Sequence, residues 1–594
     1  MNLTAFMNKV LQKTNSMSKG QMLSFITRYA RTLPEEEREK YIQYLTKEED
    51  VRDVKANDAA DHVSMAQKDI KSEADKTMQE LERVQSGELE IFAYFDEEYD
   101  SWDYEYDRDE YTYSDPEGVL QTVSVAINLV HRCIDCENYI IAMELSEKVL
   151  ELNVKVGGDY CEYENDSMSF RELVDAGLVN GEVPDFMIDA LYAVYFVKEG
   201  NSRLTRMFEL FETAQSISGI TLEKVMQAGE NELPGFPEFL SDWISFLGGK
   251  NGRLPDTLLS EAVSLVDDFE READAAAKLA KTHPHLYKDV FERYAAYAED
   301  KDLLEHAQEA LTIVPPDKVV RGDIALLAAG YALRSGKNKL AEKCWMEALR
   351  SDSTPVNLLR LMNESNNYAD YRDDVISVCE SAKTDRYYSY YSRQPNDENR
   401  VSEITYYSLA FFTGQFEKVL KKGLNNKQKL GWSGSFMKPG IALFLLCLYN
   451  GGMNELPVGC DAMRERVVRE LQFSTEEYQK GLVRGMAEND VALFSECFQK
   501  WKDTEGMKRD TQKKVLKKIS ILISDRTAAI LGGKYRNHYY DCAAYVAAYG
   551  EVLESRGEPG AKRKTLDDYH QAYIRYNAFT GELRKFGLMT GKRR

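Results

Sequence analysis

The feature that most constrains the fold is a pair of helical patterns rich in small residues. Residues 325–332 read Ala-Leu-Leu-Ala-Ala-Gly-Tyr-Ala, and after a Ser-Gly turn residues 341–349 place Ala, Trp and Ala at helical spacing. A similar pair begins 38 residues earlier, at Tyr287. Helix pairs that repeat every ~30–40 residues stack into a solenoid, because one pair cannot bury its apolar side alone. The sequence therefore predicts an all-α fold, an α-solenoid of stacked antiparallel helix pairs.

Proline content supports a helical chain. The 14 prolines in 594 residues are about half the usual frequency of roughly 5%. Because proline breaks helices, its scarcity favours long uninterrupted helical runs. We therefore expect no β-sheet of four or more strands anywhere in the chain.

Hydropathy and cysteine content indicate the cellular compartment that we expect for this protein. The most apolar run, residues 441–449, has nine residues, whereas a membrane span needs about 20. It is better interpreted as a buried core helix. Residues 1–20 lack the apolar core of a signal peptide. The nine cysteines are an odd number and lie mostly on apolar helix faces, which is typical of a reduced protein. We expect a cytoplasmic protein without membrane contact.

Composition divides the chain into four segments. Residues 1–92 are predicted to form an N-terminal helical unit with a long polar helix, 93–117 an acidic aromatic insert, 118–425 the helical-repeat solenoid, and 426–594 a C-terminal helical region with a basic end. Net charge is −23, yet residues 501–594 contain 20 Lys and Arg against 11 Asp and Glu. The acidic body disfavours nucleic acid and favours a basic protein partner.

The helix pairs resemble degenerate tetratricopeptide repeats. That pattern reads W-x2-L-G-x2-Y, then A-x3-F-x2-A, then P. Tyr287 stands at the tryptophan place, Tyr294 at the tyrosine and Pro315 at the proline, and a weaker echo begins at Tyr406. Trp345 stands where the pattern has its large aromatic between helices, so we expect it to be a packing residue.

A second resemblance covers roughly residues 118 to 590. It rests on Tyr-Ile-Ile-Ala-Met-Glu-Leu-Ser at 139–146, Ala-Ala-Lys-Leu-Ala-Lys-Thr-His-Pro-His-Leu-Tyr at 276–287, and Tyr-His-Gln-Ala-Tyr-Ile-Arg-Tyr-Asn-Ala-Phe at 569–579. Their order is similar to the helical-repeat part of bacterial proteins that carry a SWIM zinc finger. The finger itself needs C-x-C followed by C-x-H, and neither spacing occurs here. The nucleic-acid role that such a finger confers is therefore not carried over.

The segment from Phe95 to Tyr113 alternates acidic with aromatic residues, and Arg108 is its only base. Clustered like charges disfavour a helix, so we expect a loop or extended insert. It could clasp a basic partner, bind a metal, or plug the solenoid groove with its rings while the acids stay solvated. No window has the glycine and glutamate that an EF-hand loop requires. The candidate partner-binding residues are Asp96, Glu97, Glu98, Tyr99, Asp100, Trp102, Asp103, Tyr104 and Tyr106.

Two motifs contain metal-ligand residue types. Cys133-x2-Cys136 lacks the second ligand pair of a structural zinc site, and core packing or a metal or redox role are its alternatives. His283-Pro-His285 could coordinate a metal, but no cysteine or carboxylate cluster accompanies it in sequence. A helix start with Pro284 near its first turn is the alternative interpretation. We expect no bound metal or cofactor, and no stoichiometric zinc.

Signatures of enzymes are absent: the sequence has no G-x-x-x-x-G-K-[ST], H-E-x-x-H or G-x-G-x-x-G. We therefore predict a non-enzymatic protein–protein interaction scaffold that recognises its partner through a concave face and the acidic aromatic insert. One alternative is a nucleic-acid-associated regulator that uses the lysine pairs at 513–514 and 517–518, which are otherwise a solvated helix face. Another is a helical immunity or defence component, because residues 490–498 resemble helices of immunity proteins.

Overall fold

The computed structural model describes residues 56–95, 111–158, 167–179, 183–229, 233–296, 298–385, 397–425, 429–483 and 488–589. Of residues 56–69, Phe95 and Ser216 it describes the backbone alone. The chain forms two compact units, Met1–Pro234 and Gly235–Arg594, which are treated separately below. Across these described ranges there are 26 α-helices and six short strands, so the predicted predominance of helix is confirmed. The four predicted segments stay a prediction.

The elements of the first unit are helices α1 to α7 and strands β1 to β4. In chain order they are α1 Ala56–Gln85, β1 Ile91–Phe95, β2 Tyr111–Ser114, α2 Val119–Asp135, α3 Tyr139–Leu150, β3 Asn153–Gly158, β4 Ser167–Ser169, α4 Phe170–Asp175, α5 Val183–Val197, α6 Gly200–Thr213 and α7 Leu222–Met226.

Helix α5 lies at the centre of this unit. Eleven of its 15 residues are buried, and it packs against α2, α3, α6 and α7. A helix that is apolar on all sides is stable only when other elements surround it. Helix α2 turns its buried stripe, which includes Val123, Ile127 and Val130, toward the same core and also contacts α1. The unit is therefore a helical cluster built around α5.

A four-stranded sheet with strand order β2-β1-β3-β4 lies beside these helices, and our expectation that no such sheet would occur was wrong. Strand β1 pairs antiparallel with β2 and parallel with β3, and β3 pairs antiparallel with β4. In β3, Val154 and Val156 are buried while Lys155 is exposed. The strands have only three to six residues, too few to reveal alternation in a helix-rich sequence. The β1–β3 pairing also joins residues 65 positions apart, such as Ile91 and Val156, beyond any local pattern.

The second unit contains helices α8 to α26 and the two-residue strands β5 and β6. In chain order they are α8 Phe236–Gly248, α9 Arg253–Ser264, α10 Phe269–Leu279, α11 His285–Tyr294, α12 Asp300–Ile313, α13 Val319–Arg334, α14 Asn338–Ser351, α15 Pro355–Glu364, α16 Tyr368–Ser381, β5 Lys383–Thr384, β6 Arg400–Val401, α17 Glu403–Phe412, α18 Phe416–Lys418 (continued by a π-helical turn, Val419–Gly423), α19 Met437–Leu448, α20 Val458–Glu470, α21 Thr475–Gln479, α22 Asp490–Thr504, α23 Arg509–Gly532, α24 Tyr539–Ser555, α25 Ala561–Ala572 and α26 Asn577–Lys585.

Helices α8 to α17 pack in chain order. Each of them contacts the next helix, and α9, α10, α11, α14 and α15 also contact the next but one. The small residues that the sequence singled out lie inside this arrangement: the alanines of residues 325–332 are buried in α13, and those at 341 and 348 are buried in α14. A Cβ atom at Gly322 would lie 3.0 Å from the Asp352 Cβ, so the backbone at the two helix ends comes close. We call helices α8 to α17 the helical array.

The C-terminal helices pack around α24, which contacts α19, α20, α23, α25 and α26. Glu551 on α24 is 3% exposed and accepts hydrogen bonds from the backbone N–H groups of Gly459 (3.0 Å) and Cys460 (2.7 Å) at the start of α20. Its carboxylate also pairs with Lys562, 2.7 Å away. A carboxylate at a helix N-terminus satisfies unpaired N–H groups and interacts favourably with the helix dipole. This contact fixes α20 against α24.

The apolar run at residues 441–449 forms most of α19. Ten of the 12 residues of this helix are buried, as predicted for a core helix. Within the described ranges, none of the helices has the length and apolar character needed to cross a membrane.

Trp345 provides a direct test of the array packing. Its side chain is 4% exposed, and its indole N–H donates a hydrogen bond of 3.0 Å to the backbone carbonyl of Gly481. Trp345→Ala should lower the free energy of unfolding by about 3–5 kcal/mol, because it leaves a cavity that the helices cannot fill. Trp345→Phe keeps one aromatic ring, so it removes less volume, but it leaves the Gly481 carbonyl without the indole donor and should cost about 1–3 kcal/mol. Urea unfolding measures both, and an unchanged midpoint in Trp345→Ala would contradict the packing.

Candidate functional site

The nine candidate partner-binding residues, from Asp96 to Tyr106, lie outside the described residues, but the structure describes both ends of their segment. Phe95 ends β1 and Tyr111 begins β2, and the two residues are paired in the antiparallel register. The sheet therefore holds the two ends of residues 96–110 next to each other. These 15 residues include nine acidic and four aromatic side chains and one base.

The residues that flank this segment are hydrogen-bonded to the start of helix α2 and to the chain before β1. The Asp115 carboxylate accepts hydrogen bonds from the backbone N–H groups of Val119 (2.7 Å) and Leu120 (2.9 Å), the first residues of the helix. The Glu117 carboxylate accepts from the backbone N–H of Glu90, just before β1, at 2.8 Å. The residues just after β2 thus cap α2 through Asp115 and hold the chain before β1 through Glu117.

Of the two cysteines of the Cys133-x2-Cys136 motif, Cys133 fits a packing role. Cys133 is fully buried in the helix face that meets the core, as predicted. Burial raises the pKa of the Cys133 thiol to about 11. A thiol with such a pKa is protonated at neutral pH, whereas metal binding and redox chemistry use the thiolate. The environment of Cys133 therefore favours the core-packing interpretation.

A histidine–aspartate pair that the sequence did not reveal links α2 to α5. His131 Nδ1 lies 2.9 Å from Asp189 Oδ2, and the Asp189 side chain is 5% exposed. Burial raises the pKa of Asp189 to about 6, although the hydrogen bond with His131 lowers it. The hydrogen bond to Asp189 raises the pKa of His131 in turn. Sequence analysis missed the pair because its members are 58 positions apart.

The face formed by α13, α14 and α15 is partly occupied by the chain's own residues 477–481. Arg360 on α15 is 1% exposed, and its guanidinium donates hydrogen bonds to the backbone carbonyls of Tyr478 (2.8 Å) and Glu477. Burial lowers the pKa of Arg360 to about 10, so the side chain stays charged at neutral pH. The Tyr478 hydroxyl donates to Glu364 Oε1 at 2.8 Å.

Gly481 completes this docked segment. Its φ of +72° belongs to the left-handed region, and an added Cβ would lie 2.7 Å from the Leu326 carbonyl oxygen of α13. Only glycine fits such an approach without strain. The array therefore holds the C-terminal end of α21 and the turn after it through donors that contact backbone carbonyls, here within a single chain. No sequence pattern predicted this contact, because Arg360 and Tyr478 are 118 positions apart.

The lysine pairs of α23 are mostly solvated. Lys513 and Lys517 are exposed and Lys518 is half-buried, while Lys514 pairs with Glu417, 3.1 Å away. This arrangement agrees with a solvated helix face, and the nucleic-acid role stays a prediction.

The motif His283-Pro-His285 begins α11, with Pro284 as the residue before the helix, as predicted. The structure adds a residue that sequence analysis missed. Asp256, in the first turn of α9, lies with its carboxylate against both histidines. The signal for it was weak, since an acid in the first turn of a helix is common for electrostatic reasons alone.

Comparison with known proteins adds no relative: no family model matches the chain, and no curated protein does.

The Asp189–His131 pair predicts how stability depends on pH. Because the pKa of Asp189 is higher in the folded state than the unfolded value of about 4, protonation stabilises the fold at low pH, and this stabilisation is lost as pH rises through 6. The raised pKa of His131 acts in the same direction. Relative to Asp189→Asn, the parent should therefore lose on the order of 2 kcal/mol between pH 4 and 7.5.

Urea unfolding at several pH values measures this difference. Glu212→Gln is the control, because Glu212 is an exposed carboxylate on α6 that is not among the groups shifting either pKa, so it should leave the pH dependence nearly unchanged. An identical pH dependence in the parent and Asp189→Asn would contradict the assignment.

Proposed function

We propose that the protein is a non-enzymatic interaction scaffold that recognises a basic protein partner through residues 96–110. The observation that supports it is the pairing of Phe95 with Tyr111 in the sheet of the first unit. A segment whose two ends are held together loses less conformational entropy when it is ordered on a partner than a free chain would.

The chemistry of residues 96–110 suits a basic partner. Aromatic side chains supply large contact areas with few rotatable bonds and are common among the residues that dominate binding energy. The acidic side chains attract a basic surface over long range and raise the association rate. A protein surface that offers lysines and arginines around apolar pockets would complement both features.

The helical array is the second part of the proposal. We infer that α8 to α17 are antiparallel pairs stacked as a tetratricopeptide-like solenoid, related to the helical-repeat region of SWIM zinc-finger proteins. The contacts of each helix with the next, and of several with the next but one, support this arrangement. Arg360 and Trp345 bind backbone carbonyls at the end of α21 and in the turn after it, and so brace this arrangement from within the chain. A cytoplasmic location is part of the same proposal.

Neutralising the acids of the segment tests the partner site. The combined change Asp96→Asn, Glu97→Gln, Glu98→Gln, Asp100→Asn and Asp103→Asn should weaken binding to a partner captured by the parent about tenfold, or about 1.4 kcal/mol. The difference should shrink at high salt, because screening already removes the attraction in the parent. Titration calorimetry at low and high salt measures both effects.

A matched control removes charge elsewhere. Asp370, Asp373 and Asp374 are exposed carboxylates on α16, and their combined change to Asn should leave the affinity within about twofold if the segment is the site. Equal affinity of the segment variant and the parent would defeat the proposal. In that case Trp102→Ala should lower stability, as expected if the rings plug the solenoid groove.

A further inference from the structure

A buried cluster of two histidines and an aspartate lies between the end of α8 and the starts of α9 and α11. His283 is 1% exposed and His285 is 6% exposed, while the Asp256 side chain is 29% exposed. One ligand atom from each of the three residues lies within 4.8 Å of the others. The cluster lies wholly within the second unit, whereas residues 96–110 belong to the first.

Both ring nitrogens of His283 lie against acceptor oxygens. Its Nε2 lies 3.3 Å from the Gly248 carbonyl oxygen, and its Nδ1 lies 2.7 Å from Asp256 Oδ1. Both partners are acceptors, whereas a neutral imidazole has one donor and one acceptor nitrogen. When Nε2–H donates to the carbonyl, the Nδ1 lone pair points at a carboxylate oxygen. In that tautomer a metal ion between Nδ1 and Oδ1 makes the contact favourable. In the other tautomer Nδ1–H donates to Asp256, and the lone pair of Nε2 faces the Gly248 carbonyl.

His285 is oriented in the same way. Its Nε2 lies 3.3 Å from the backbone carbonyl oxygen of Asp256, and its Nδ1 lies 4.0 Å from Asp256 Oδ1. Both histidines thus direct Nδ1 toward one carboxylate oxygen and Nε2 toward a backbone carbonyl. Metal-bound histidines usually donate their other ring N–H to a carbonyl or carboxylate in this manner, which fixes the tautomer and the ring orientation.

The spacing of the ligand atoms suits a small divalent ion. Bonds of about 2.0–2.2 Å in tetrahedral geometry require ligand atoms about 3.3–3.6 Å apart. The observed 2.7 and 4.0 Å lie on either side of that range, and the ligand atoms of the two histidines lie within 4.8 Å of each other. Shifts of about 1 Å by the three side chains therefore bring all three distances into it. The partial exposure of Asp256 gives water access to a fourth position.

We propose that Asp256, His283 and His285 form a binding site for a divalent transition-metal cation such as Zn²⁺. Imidazole and carboxylate donors suit zinc, cobalt, nickel and iron better than calcium or magnesium. The ion would join the starts of α9 and α11, the helices before and after α10 in the chain. It would therefore stabilise this part of the helical array. The proposal departs from the expectation of no stoichiometric zinc, which considered cysteine ligands and a histidine pair without Asp256.

Metal titration of the full chain tests the site. After chelation and removal of the chelator, the parent should bind one more equivalent of Zn²⁺ than either Asp256→Asn or His283→Asn, as measured by elemental analysis. If a variant still binds Zn²⁺ at this site at higher metal concentration, its affinity should be at least about tenfold lower than that of the parent, which is the usual effect of disturbing the residues around a bound metal. Zn²⁺ should also raise the Tm of the parent, because it binds the folded state.

His306→Asn is the matched control. His306 is a histidine of α12 that lies 3.5 Å from Glu270 and 3.8 Å from Glu309, and its removal should change neither the stoichiometry nor the Tm response. Cobalt substitution separates this site from cysteine sites. The Co²⁺ equivalent that the parent binds and Asp256→Asn does not should show ligand-field bands. It should lack the thiolate-to-cobalt charge-transfer band of a sulfur-ligated ion.

The parent alone can overturn the proposal, even if a variant fails to fold. No bound equivalent and no Tm response to Zn²⁺ or Co²⁺ would mean that the His283–Asp256 contact is an ordinary hydrogen bond. Equal stoichiometry in the parent, Asp256→Asn and His283→Asn would also exclude the site, as would a parent that binds metal through thiolates alone.

Discussion

Two buried arginines of the second unit donate hydrogen bonds to backbone carbonyls and so hold short segments that lie far from them in sequence. Arg360 contacts the carbonyls of Glu477 and Tyr478, and Arg526 contacts those of residues 429 and 430. Removing a guanidinium from water is costly, and only well-formed hydrogen bonds offset that cost. The carbonyls depend on the arginines in the same way, because an unpaired buried carbonyl costs about 1–3 kcal/mol. Each arginine therefore specifies where its segment lies.

This constraint shapes how the helical array can be used. Residues 477–481 cover part of the face formed by α13 to α15, where Trp345 and the left-handed Gly481 complete the contact. That part of the array is already occupied by the chain, so it contributes to stability. The acidic aromatic segment of the first unit, whose ends are joined by the β1–β2 pair, is the better candidate for a partner.

Sequence patterns predicted what depends on local periodicity. The alanines of residues 325–332, the core helix at 441–449 and the helix start at Pro284 are as expected, because burial on one side of a helix imposes a regular spacing. The four-stranded sheet was missed, because its strands are too short to show alternation. Asp256 and the partners of Arg360 were missed for a different reason. Their contacts join residues 27 and more than 100 positions apart, and a single charged residue in a helix carries no sign of a distant partner.

Hydrogen exchange of two arginine variants tests the claim that individual arginines fix individual segments. Arg360→Met should raise the amide exchange rates of residues 475–483 by about tenfold or more, which corresponds to about 1.4 kcal/mol of local stability. It should leave residues 429–435 unchanged. Arg526→Met should give the converse result, because Arg526 is likewise buried and donates to two carbonyls. Unchanged exchange in both segments, or equal loosening of both segments by either variant, would contradict the account.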